Sequence, residues 1–170
     1  MHNTRLKDDN KGLSIVELII VIAIISILAT TMVLATGTAT NKHVNSCALK
    51  IASALEQTRS LALGKQGAYV DIWQDPNDDV YLQMYVNGQP YGGLAAVGRP
   101  GLSVSVTRAG GAPTALGTSS SPTRISFSRS NGSVTEVPAV INISVTNGRR
   151  VYEVTIDSYT GRVTSEMTTP

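Results

Sequence analysis

Hydrophobic positions fall into three regimes along this chain. Residues 13 to 35, LSIVELIIVIAIISILATTMVLA, are 23 consecutive positions with no proline or glycine and a single charge, Glu17. A helix of that length covers about 34 Å, enough to cross the hydrocarbon core of a bilayer. From Thr36 onward the pattern becomes amphipathic. Val44, Ala48, Ile51, Leu55 and Ala62 recur at helical spacing, while Lys42, Asn45, Lys50, Ser53, Glu56 and Arg59 lie largely off that line. The stripe requires an apolar partner, and Gly64 predicts the helix end. If continuous, residues 13 to 63 make a helix of about 75 Å. A bend or local unwinding is expected between Thr36 and Thr40, because Gly37 costs about 1 kcal/mol relative to alanine in a helix interior.

After Gly64 the period falls to two. Ala68 to Trp73 and Val80 to Val86 alternate as strands around the turn Asp75-Pro76-Asn77-Asp78-Asp79, and Asn87-Gly88 predicts the next turn. Residues 87 to 122 are largely unassigned, with 109 to 122, AGGAPTALGTSSSP, read as a surface loop. Strands are predicted at Thr123 to Ser128, Ala139 to Thr146, Arg149 to Asp157 and Arg162 to Ser165. Asn131-Gly132, Asn147-Gly148 and Thr160-Gly161 punctuate them as in an antiparallel meander. The fold class is α+β: a long N-terminal helix, transmembrane in its N-terminal half, packed on a C-terminal antiparallel β-sheet head.

Charge and composition refine this picture. Arg5, Lys7 and Lys11 precede the apolar run, which keeps the N-terminus cytoplasmic and the head outside the cytoplasmic membrane. The net charge of +2 is too small to imply nucleic acid by itself. With one Trp and one Phe, the core is expected to use Val, Ile, Leu and Tyr. Cys47, the single cysteine, excludes an intramolecular disulfide and reads as a small buried hydrophobe.

Candidate chemistry is sparse. His2 and His43 have no partner at ligand spacing, so no metal or other cofactor is expected. Asp71, Asp75, Asp78 and Asp79 lie in or beside one turn, where solvation accounts for them; calcium is the alternative to a plain hairpin turn. There is no Walker loop, GxSxG elbow or useful Cys/His pairing, and the chain reads as a non-enzyme.

Glu17 changes the reading most. An ionised carboxylate at the centre of a spanning helix costs about 2.5–3.5 kcal/mol on insertion scales. Cleavage between Gly12 and Leu13 would place it in the first helical turn beside a new α-ammonium group, where amine and helix dipole both favour negative charge. Lys11-Gly12-Leu13-Ser14-Ile15-Val16-Glu17-Leu18 resembles the prepilin-peptidase site of type IV pilins and type II secretion pseudopilins. An uncleaved anchor, or a secretory signal peptide cut near Gly37-Thr38-Ala39, leaves Glu17 unexplained.

The resemblance implies a leader at 1–12, a filament-core helix at 13–35, its amphipathic continuation at 36–64 and a head at 65–170. It further implies cleavage after Gly12 by prepilin peptidase, N-methylation of Leu13, where most relatives carry phenylalanine, and pairing of Glu17 with a neighbouring subunit's amine. Implied partners are other pilins or pseudopilins, the inner-membrane assembly platform and the cytoplasmic membrane. The C-terminal pattern from Ile125-Ser126-Phe127 to Tyr159-Thr160-Gly161-Arg162-Val163 is similar to GspH/FimT-like minor pilins and pseudopilins. In that group two β-sheets pack on the helix, and members help to initiate assembly of a type IV pilus or type II secretion filament. Some FimT-like members bind DNA through Gly-Arg-x-Arg. Here Gly161-Arg162-Val163-Thr164 lacks the second arginine, and Arg149, Arg150 and Arg162 are the DNA-binding candidates of an alternative reading.

Overall fold

The computed structural model describes residues 15–64 and 66–168, with side chains described outside 27–41. The expected leader, Gly12 and Leu13 lie outside those residues. Two compact units make up the chain, residues 1–38 and 39–170.

Helix α1 runs from Ile15 to Leu63 without interruption. The unwinding expected between Thr36 and Thr40 is absent, and the backbone stays helical through Gly37. One glycine withdraws about 1 kcal/mol, whereas interrupting a helix forfeits the cooperativity of the turns on both sides. Gly64 ends the element as expected, its amide donating to the Ser60 carbonyl at 3.1 Å.

Within the 39–170 unit, Val44, Ala48, Ile51, Leu55 and Ala62 are all completely buried, so the amphipathic stripe is the core face of α1. Cys47 is buried beside them. Buried Thr58 satisfies its hydroxyl by donating to the Ala54 carbonyl at 2.7 Å, which permits a polar residue on this face.

Nine strands follow among the described residues: β1 (Ala68–Gln74), β2 (Val80–Val86), β3 (Gln89–Ala96), β4 (Ser103–Arg108), β5 (Thr114–Ala115), β6 (Thr123–Ser126), β7 (Val140–Thr146), β8 (Val151–Ile156) and β9 (Val163–Thr168). They form two sheets, ordered β3-β2-β1-β6 and β5-β4-β7-β8-β9, with all of these pairings antiparallel. Of the C-terminal strands expected to form one meander, only β7-β8-β9 do so. β6 instead returns to β1, in a register that sets Arg124 opposite Asp71. The buried arc of α1 is wide, taking in Cys47 and Thr58 as well as the stripe, and one meander would leave part of it wet.

Val70 and Ile72 of β1, Leu82 of β2, Ile125 of β6, Val106 of β4, Ile143 of β7 and Ile156 of β8 join the helical stripe in one cluster. Among the described residues no tyrosine joins the buried core, contrary to expectation; aliphatic side chains, Cys47 and Phe127 fill it. β3 and β4 fall in the unassigned 87–122 stretch, and β5 within the predicted loop. β3 is almost wholly exposed and carries Pro90, Gly92 and Gly93, so its strand character comes from pairing with β2 and not from its own pattern.

Candidate assembly segment and head surface

At the start of α1, Glu17 lies in the first described turn. The apolar side chains around it are bare: Ile15 is 77% exposed, Ile19 61% and Ile25 59%. An exposed apolar surface of this kind marks a site of contact with another protein or with a membrane. Among the described residues no helix is long and apolar enough to cross a membrane. The described side chains of this segment end at Ser26, whereas the span expected from sequence continues to Ala35.

The candidate DNA-binding arginines are placed at two ends of one strand. Arg149 and Arg150 occupy the β7–β8 turn, where the Asn147 Oδ1 accepts their backbone amides at 3.0 and 2.9 Å. Arg162 follows β8 and immediately precedes β9, about 20 Å away at the rise of a six-residue strand. This placement does not gather the three into one patch.

Gly161 has a packing role. Its φ is +66°, and a Cβ there would run into the carbonyl oxygen of Gly132 and lie 3.1 Å from Phe127 Cδ1. Val134 N donates to Ser158 O at 3.0 Å, and Arg59 Nε of α1 donates to Thr160 O at 2.8 Å. The segment 157–162 is therefore sutured both to the β6–β7 connection and to the C-terminal end of the helix. Asp157 organises it: hydrogen bonds from the backbone amides of Thr160 and Tyr159 hold its carboxyl below the usual range.

The turn between β1 and β2 is built by its own aspartate. Asp75 Oδ1 accepts the backbone amides of Asn77 and Asp79, both at 2.9 Å, so this carboxylate is engaged in closing the hairpin. No group of three metal-ligating residues is present among the described residues. His43 is half-buried at the edge of a cleft that also contains Asp79 and Arg99.

Asp71 departs from the expectation of solvation. It is 3% exposed on β1, facing away from Val70 and Ile72. Arg124 Nε and Nη2 donate to its two oxygens, each at 2.8 Å, and this pairing raises the guanidinium pKa further. The same guanidinium lies 4.1 Å from the centroid of the Tyr69 ring. Tyr69 stacks on its cross-strand partner Tyr85 at 4.8 Å, and Trp73 on Tyr81 at 5.9 Å. These aromatic rows flank the buried carboxylate and shield it from water. The sequence signal was available in Tyr69-Asp71-Trp73 opposite Tyr81-Gln83-Tyr85, which alternate with the core residues; Arg124 is invisible without the β1–β6 pairing.

No curated protein and no solved structure matches the chain. Residues 7–33 match the family model of the prokaryotic N-terminal methylation motif, so the likeness lies in the N-terminal segment.

Proposed function

We propose that this chain is a minor subunit of a type IV pilus or type II secretion filament, helping to initiate assembly. The observation that carries the reading is the methylation motif leading into a helix whose far end forms the core of a two-sheet head. Prepilin peptidase removes residues 1–12, Leu13 becomes the methylated N-terminus, and the apolar helix passes from the cytoplasmic membrane to the filament core. Glu17 accompanies that transfer because a carboxylate in an apolar interior is tolerated when it meets a cation, here the N-terminal amine of a neighbour. The head carries no function in this scheme that requires catalysis.

Mass spectrometry of the mature protein tests the processing step: the expected N-terminus is methylated Leu13, and a chain beginning at Met1 or Thr40 refutes the reading. Glu17→Ala is expected to be cleaved and stable yet poorly recovered in sheared filaments. Undiminished recovery refutes the role given to Glu17.

A further inference from the structure

A trough of about 660 Å³ opens between α1 and the β2–β3 hairpin. Its helical wall runs from Lys42 to Gln57, about 24 Å at the rise of an α-helix. Leu82, Met84 and Val97 supply apolar surface on the opposite side, and Leu49, 50% exposed, lines it from the helix. Ser46, Ser53 and Ala54 keep the helical wall low enough for another backbone to approach. Charge is one-sided: Lys42 and Lys50 line the trough, and no carboxylate does so among the described residues. The adjoining cleft shares Lys50 and adds Arg99 and His43 against Asp79.

A long apolar channel beside a helix accepts an amphipathic helix laid along it. Its lysines select one bearing carboxylates at its flanks and disfavour one bearing cations. A second copy of this chain fits that demand poorly. From Lys42 to Leu63 its helix offers Glu56 as the sole acid against Lys42, Lys50 and Arg59, so cations would face cations.

We propose that this trough docks an acid-flanked amphipathic helix of a different subunit. The inference rests on the filament-subunit reading, and it assigns this head a heterologous neighbour. The full chain carrying p-benzoylphenylalanine at Leu49 is irradiated in cells that assemble the filament, and the adducts are mapped by mass spectrometry. The expected adduct lies on a helix of another subunit with Asp or Glu flanking the crosslinked residue. Lys42→Glu combined with Lys50→Glu is expected to cut its yield at least tenfold, and lysine in place of the partner's flanking acids to restore it. An adduct on a second copy, an adduct on lipid, no adduct, or a yield indifferent to charge reversal overturns the docking proposal. The mature N-terminus and the presence of the chain in sheared filaments are read from the same cells. Correct processing and incorporation without the helix adduct sinks the trough alone, whereas an unprocessed chain sinks the subunit reading and the trough with it.

Discussion

Replacing Gly161 by alanine separates a structural glycine from a ligand-binding one, with Gly148→Ala as the control. Both residues have positive φ, +66° and +79°, so alanine at either pays the left-handed backbone penalty of about 1–2 kcal/mol. Gly148 has nothing within 4 Å of the new Cβ. At Gly161 the Cβ meets the backbone carbonyl of Gly132, with its carbon at 3.0 Å, and no rotamer change relieves a clash with backbone. Separating the two turns adds about 1–3 kcal/mol, the usual cost of overpacking. Each kcal/mol lowers the Tm of a domain of this size by roughly 4 °C. Gly148→Ala should therefore melt about 4–8 °C below the parent, and Gly161→Ala about twice as far below it. The assay is thermal unfolding of the full chain in detergent micelles, followed by fluorescence of Trp73, the only tryptophan. Equal shifts for the two variants, or a milder one at Gly161, would refute the packing argument.

The Asp71–Arg124 pair should show asymmetric losses. Arg124→Ala strands a buried carboxylate and should cost roughly 1–3 kcal/mol, moderated because Arg124 itself is half exposed, while Asp71→Ala releases the arginine to water and costs less. A double variant no more stable than Arg124→Ala alone, measured by chemical denaturation, would contradict this. Burial pushes the Cys47 thiol up to about 11, so at pH 8 it is protonated and enclosed. Iodoacetamide should label it only at the rate of unfolding, and rapid labelling of the native chain would disprove the burial. The carboxyl of Asp157 is held low in the folded state, so the stability it contributes is present above the ordinary carboxylate range and lost as pH falls through its folded value. Asp157→Asn should flatten the acid limb of the stability–pH curve, and an unchanged limb would remove Asp157 from the account.

Local information sufficed where a residue's environment follows from its own neighbours in sequence. The uninterrupted apolar run, the position of Glu17 and the Gly12-Leu13 junction announced the methylation motif, because that recognition acts on a contiguous segment. The helical stripe from Val44 to Ala62 was equally legible, since a period near four positions its residues on one face wherever the helix packs. β1 and β2 were recognisable through alternation and the intervening turn.

Long-range pairing decided the rest. β3 became a strand by lying against β2, and β6 left the expected meander to complete the sheet beside β1. That crossover brings Arg124 to Asp71 across 53 residues, turning an aspartate that alternation alone leaves solvated into a buried carboxylate paired with a guanidinium. It took tertiary contact to show that Gly161 is a packing glycine, that Arg149 and Arg150 are separated from Arg162 by the length of β8, and that α1 and a hairpin enclose a lysine-lined trough. A sequence records each side chain's preference for water or core, whereas close approach between distant backbones exists only after both have been fixed by the sheets they join.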